Sequence, residues 1–150
     1  DGFDTRLKVM PPLRTATDRM ALIAGVIDGT IDMITTDHNP IDIEHKKMEF
    51  DLAKYGTIGL ESAFGALLTV LPLVTVIEKL TSGKSVFGIQ DATITEGNIA
   101  NLSFFNPEGT WTFTKENIQS KSKNSAFLGQ EMKGKAYGIY NQGKLVISNE

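Results

Sequence analysis

The sequence predicts an α/β protein whose final part turns into short β segments, and three observations predict it. A helical apolar pattern runs directly into a short β-type run at residues 31–36. A second apolar stripe with helical spacing follows at residues 60–71. Near residue 90 the pattern changes to short alternating segments split by turn residues. Helix followed closely by strand is the local order of α/β folds, and evenly punctuated short strands mark a β-rich region.

Taken in order, Pro11-Pro12 breaks the chain, and Thr15 or Thr17 can cap a first helix. Met20, Ile23, Ala24 and Ile27 then fall on one face, and Gly29 supplies the stop. The run Ile31-Asp32-Met33-Ile34-Thr35-Thr36 reads as a strand, and residues 37–58 as a long polar segment of the kind that is usually functional or disordered. Gly59 opens a second helix with the stripe Leu60, Ala63, Phe64, Leu67, Leu68 and Leu71, expected to be core packing. Pro72 ends or kinks it, and Val74 to Leu80 reads as a further short helix. In the tail, strands are expected at 101–105, 110–114, 135–140 and 144–147. Asn106-Pro107-Glu108-Gly109 serves as a turn and Tyr140-Asn141-Gln142-Gly143-Lys144 as a hairpin tip.

Composition narrows the function. A net charge of -3 over 150 residues leaves no basic excess to neutralise phosphates, which argues against nucleic acid as the main partner. The absence of cysteine removes disulfides, thiolate metal sites and a Cys nucleophile together, and fits a reducing compartment. No apolar run approaches the roughly 18 residues of a membrane span, and no leader pattern opens the chain. A cytoplasmic location is therefore expected, with no membrane partner. The start, Asp1-Gly2-Phe3-Asp4, reads as the middle of a loop.

Asp37 is the leading chemical candidate, because it stands where the apolar run ends, followed by His38-Asn39-Pro40. In barrel enzymes the C-terminal end of a parallel strand is where catalytic groups collect. A carboxylate there can ligate a metal or move a proton; for an arbitrary Asp, capping the next loop is the commoner role. His38 and His45 are the only histidines. Two His and one Asp can hold zinc in principle, but a solvent-facing or supporting place is expected for both. Trp111, Phe113 and Tyr140 could stack on a ligand, although alternation in a β tail makes such residues core more often. No phosphate loop, Gly-x-Ser-x-Gly elbow or His-Glu-x-x-His is present.

Five segments in order resemble the C-terminal portion of dihydroorotases, members of the cyclic-amidohydrolase superfamily. Lys8-Val9-Met10-Pro11-Pro12-Leu13-Arg14 is similar to a Lys-Val-Asn-Pro-Pro-Leu-Arg segment, and Thr36-Asp37-His38-Asn39-Pro40 to Thr-Asp-His-Ala-Pro-His. Gly56 to Ala63 is similar to Gly-Ile-x-Gly-Leu-Glu-Thr-Ala. Ile94 to Phe105 and Ser120 to Phe127 resemble a late strand and a Ser-Lys-Ser-x-Asn-Thr-Pro-Phe segment. Hydantoinases and allantoinases share parts of this pattern.

The resemblance implies the C-terminal part of a metal-dependent (β/α)8 barrel followed by strands of a small β-sandwich. Residues 1–88 would supply the last barrel units with the loop 37–58, and residues 89–150 the sandwich strands. It further implies reversible hydrolysis of dihydroorotate to N-carbamoyl-aspartate in pyrimidine synthesis, with Asp37 as metal ligand and proton shuttle. Tyr55 and Gly56 match a substrate-contacting pair. A complete site holds two zinc ions; this chain lacks the other ligands, so it is expected to be incomplete and inactive alone, without bound zinc. Partners implied are the missing N-terminal half of the barrel and a second copy. Met10 stands where the family has a substrate-binding Asn, Ile41 where it has a substrate-binding His, and Lys54 where a Pro precedes Tyr55. Neither Met nor Ile can replace those hydrogen bonds, and Asp42 could compensate only if the loop shifted. These departures raise a second expectation, a non-catalytic subunit that supports assembly of aspartate carbamoyltransferase.

Overall fold

A computed structural model of the chain describes residues 2–89 and 93–148. The point near residue 90 where the sequence changes character touches residues 90–92, outside the described residues. Helix α1 (Ala16–Asp28) starts at a capping box: the Thr15 hydroxyl accepts from Asp18 N–H, and the Asp18 carboxylate accepts from Thr15 N–H. It ends at Gly29 in the left-handed conformation (φ 86).

The buried face of α1 differs from the expected one. Val26 and Ile23 turn into the core, whereas Met20 (69% exposed) and Ile27 (60%) face outward. At 100° per residue the apolar positions Leu22, Val26, Ile23, Ile27, Met20 and Ala24 cover an arc of about 200°. Only the middle of that arc is covered here.

Helix α2 (Ala63–Leu68), α3 (Leu73–Thr81) and the single turn α4 (Gly83–Val86) follow. Pro72 lies at the start of α3, and α2 ends before it at Leu68, earlier than the expected end at the proline. Leu60 stays 63% exposed, so the predicted stripe loses its first member, and α2 is only six residues long. Val26, Leu68, Leu71 and Val76 form the helical core.

The expected strand 31–36 is a correction: it has no strand partner among the described residues. A strand exists only if neighbours lie about 4.8 Å away to take its backbone groups. Here Ile34 N–H donates to Lys79 O at the end of α3, and Ile31 N–H to Gly25 O in α1.

The tail forms one antiparallel sheet of β1 (Asn101–Thr112), β2 (Glu131–Asn141) and β3 (Lys144–Ile147), in that order. The β2–β3 hairpin closes through Gln142 and Gly143, both at positive φ, as expected for a two-residue loop. The predicted turn at 106–109 is instead a bulge within β1. Asn106 pairs with Lys135 and Thr110 with Lys133, so both flanks stay on one partner. The Asn106 side-chain oxygen accepts from Glu108 N–H and gathers the extra residues.

Sheet and helices meet closely at Gly65. A Cβ there would lie 2.9 Å from Met132 Cβ, so glycine lets α2 approach β2. Beside this contact Ile58, Phe113, Ile118 and Met132 form a second core, each 3% exposed or less. No helix among the described residues is long and apolar enough to cross a membrane.

Candidate active site

Asp37 has φ 41, a left-handed conformation that is uncommon outside glycine and worth a functional question. The segment carrying it runs alongside residues 56–60 in the opposite direction. Asn39 N–H donates to Thr57 O at 2.9 Å. His38 Nδ1 accepts from the N–H groups of Gly59 and Leu60, each at 3.2 Å. A Cβ on Gly59 would stand 2.6 Å from Thr36 O, and one on Gly56 (φ 136) 2.6 Å from Ile41 Cγ1. Glycine is therefore required at both places for the two segments to touch.

The tail supplies a second wall. Ser122 donates to Ile41 O at 2.8 Å, and Asn124 Nδ2 to Gly56 O at 3.1 Å. Ile58 N–H reaches Asn124 O at 3.0 Å, and Ala126 N–H reaches Thr57 Oγ1 at 2.9 Å. Ser120 N–H donates to Glu61 Oε1 at 2.8 Å. Segments more than 60 residues apart in sequence thus grip the site together.

Two buried lysines form the floor on the other side. Lys46, 2% exposed, donates from Nζ to Thr5 O and Lys8 O, both at 3.0 Å. Lys8 Nζ donates to Phe50 O at 2.7 Å and Asp51 O at 3.0 Å, and stands 4.9 Å from the Tyr55 ring centre. Lys8 O also accepts from Gly56 N–H at 3.1 Å. Burial holds the Lys46 ammonium below the ordinary lysine pKa, the Lys8 charge adds to this, and Asp4 opposes it.

Ile41 packs on Gly56, the Asp37 segment lines residues 57–60, and the Tyr55 ring lies by Lys8 Nζ. Met10 follows Lys8 by two residues and is 55% exposed. Asp42 is exposed and leads into the turn Ile43–His45, where its side chain makes no cap. His45 lies in that turn, where its carbonyl accepts from Lys54 N–H. Among the described residues no three His, Cys, Asp or Glu side chains gather to hold a metal, so Asp37, His38 and His45 are not a zinc site. Zinc needs about four ligands, and no such set forms among the described residues. The residues present do not fit the ion by themselves.

Phe113 is core at 0% exposure, and the Trp111 ring meets it edge-on at 5.9 Å while its N–H donates to Gly134 O. Tyr140 pairs within the sheet opposite Leu102 and Leu145. Lys8, Lys46, Glu61 and Asn124 are brought to this region only by folding. All four lie inside segments the sequence singles out, but a lysine in a polar loop gives no signal of burial. A groove of about 730 Å³ between α2 and the sheet is lined by Glu61, Phe64, Trp111 and Tyr137 among others, but not by Asp37.

No protein-family profile matches the chain. Curated relatives do. The chain is 40% identical over 151 residues to a dihydroorotase of Geobacter metallireducens, covering 97% of this chain and 36% of that protein. It is 41% identical over 153 residues to a dihydroorotase of Endomicrobium trichonymphae, with the same coverage of each. It thus spans about a third of the length of the relatives it matches. Among solved structures, an L-hydantoinase (dihydropyrimidinase) from Arthrobacter aurescens superposes with TM-score 0.86 at 24% identity, over 97% of this chain and 35% of that one. A D-hydantoinase (dihydropyrimidinase) from Thermus sp. gives 0.83 at 24% identity, over 96% and 34%. At that identity the likeness speaks for the fold. The chain is a homologue of the dihydroorotases over nearly all of its own length, folded like the corresponding part of the hydantoinases.

Proposed function

We propose that this chain is part of a cyclic-amide hydrolase of dihydroorotase type, in which Asp37 carries the proton. The single observation that supports this is Asp37 itself, exposed and held in a left-handed conformation on a segment that runs beside residues 56–60. A carboxylate there can take a proton from the water that attacks the ring carbonyl and pass it to the departing ring nitrogen. The amide C–N bond breaks, the carbonyl carbon becomes a carboxylate, and the nitrogen leaves as part of a carbamoyl group. The backbone of Tyr55 and Gly56 would hold the polar edge of the substrate. In this reading residues 1–88 supply the last barrel units and residues 89–150 the sandwich strands of a cytoplasmic protein. The remaining length of the protein would bring the other ligands for zinc. The exposed flanks of α1 and α3 are surfaces for that remainder or for a second copy.

A second reading has its own support. Ile41 packs against Gly56 where a hydrogen-bonding side chain is expected, and Met10 is apolar at the other substrate position. A non-catalytic subunit that helps assemble aspartate carbamoyltransferase would tolerate both. The test is hydrolysis of dihydroorotate, with hydantoin and allantoin as competitors, by the full-length protein and its Asp37→Asn variant. Turnover that falls at least about 1,000-fold in the variant, comparable to losing a proton-transfer group, upholds the enzyme reading. Turnover unchanged in the variant removes Asp37 from the chemistry, and no turnover in either protein favours the assembly subunit.

A further inference from the structure

His38 is adjacent to Asp37, yet the proton transfer above gives it no task. Its ring is half-buried, and Nδ1 accepts from two consecutive backbone N–H groups, Gly59 and Leu60, at 3.2 Å each. A neutral imidazole that accepts at Nδ1 carries its proton on Nε2, so the ring is fixed in both tautomer and orientation. Glu61 closes the side toward the tail: Oε1 accepts from Ser120 N–H, and Oε2, buried without a partner, stands 3.9 Å from the same ring nitrogen. On the other side of Asp37, Thr36 O lies so near Gly59 that no Cβ would fit. Asp37 is thus bracketed by two contacts onto one residue, Gly59, one through the backbone of Thr36 and one through the ring of His38. A left-handed non-glycine residue persists only where its surroundings over-determine it.

We propose that His38 is a positioning residue whose Nδ1, seated on the Gly59 and Leu60 amides, holds the strained backbone of Asp37 and so aims its carboxylate. This rests on the reading of Asp37 as the proton carrier. The ring acts as an acceptor in place of backbone, as a strand neighbour would, at the point where the chain leaves its apolar run.

Two variants of the full-length protein separate acceptor from ring. His38→Phe keeps the shape and loses the acceptor; His38→Asn loses the ring but places a carbonyl oxygen near the Nδ1 position. In His38→Phe, amide hydrogen exchange at Gly59 and Leu60 should quicken about tenfold, as for one lost hydrogen bond, while the Phe113 amide in the sheet region is unchanged. The same variant should lower kcat about 10- to 100-fold with KM altered less than about threefold. His38→Asn should restore both within about threefold of the parent. Unchanged exchange at Gly59 and Leu60 in His38→Phe would overturn the proposal, as would faster exchange with kcat intact. If His38→Phe does not fold, His38→Asn decides alone, because loss of kcat in a folded Asn variant also overturns it. Asp37→Asn measured alongside tells the two failures apart: turnover retained there sinks the functional reading, whereas turnover lost there and kept in His38→Phe sinks only the role of His38.

Discussion

The two cores of this chain are built alike and finished differently. Around Ile58, Phe113, Ile118 and Met132 the sheet, α2 and the segment 113–118 close on every side, and each side chain is 3% exposed or less. Around Val26, Leu68, Leu71 and Val76 the helices cover one side, and apolar residues continue outward onto Met20, Ile27 and Val74, at 69%, 60% and 75% exposure. The difference teaches where the chain is self-sufficient. The second core is closed because Ile58 and Ala66 join Phe113, Ile118 and Met132 of the tail, whereas the helical core is left with apolar flanks of the kind that mark an interface. The sheet keeps an open apolar face as well, at Ile139, Leu145 and Val146, 51%, 59% and 57% exposed. That matches a chain spanning 36% of its dihydroorotase relatives. The site adjoins the closed core through Ile58 and is held by polar contacts from residues 120–126 and from Lys8.

The sharpest way to break the comparison is Phe113→Ala. In the 150-residue chain it should cost about 3–5 kcal/mol in urea unfolding, because the closed core cannot collapse around the gap. A loss below about 1 kcal/mol would show that this core is as open as the helical one.

A middle-sized effect belongs to the loop 37–58. Lys46→Met removes one donor from each of two carbonyls, but Thr5 O keeps Lys8 N–H and Lys8 O keeps Gly56 N–H, so a cost of about 1–2 kcal/mol is expected at pH 7. Because folding lowers the Lys46 pKa, the unfolded chain binds more protons below the ordinary lysine value of 10.5. Stability of the parent relative to the variant should therefore rise from neutral pH toward 10.5. Parallel unfolding curves for the two proteins across that window would show that Lys46 is not taxed by burial.

The smallest effect sharpens the contrast. Val74→Lys in the 150-residue chain should change stability by less than about 0.5 kcal/mol. In the full-length protein the same change should cost more than about 2 kcal/mol if the remainder covers that flank. Equal effects in both would leave the helical flank uncovered in the whole protein too.

Local signals in the sequence were read well wherever a single short stretch decides the outcome. Thr15, Gly29 and the Gln142-Gly143 loop each act through contacts within four residues, and each appears as expected. The bulge at 106–109 was misread because turn residues specify only a local deviation; whether the chain reverses or rejoins its ladder depends on β2. The α1 face was misread for a related reason. An apolar arc of about 200° has no single inward direction until α3 selects its middle.

Asp37 was legible as a candidate from its place after an apolar run, and the order of five motifs pointed to the dihydroorotases. What surrounds it was not legible. The accepting Nδ1 of His38, the Lys8–Lys46 floor and the Asn124 wall join residues 21 to 68 positions apart, and no window of the sequence contains both ends. The sequence by itself determined the cap of α1, its glycine stop, the β2–β3 hairpin and the likeness to dihydroorotases. Only the tertiary structure decided which polar groups are buried, because a buried hydrogen bond needs two partners and the chain brings them together only on folding.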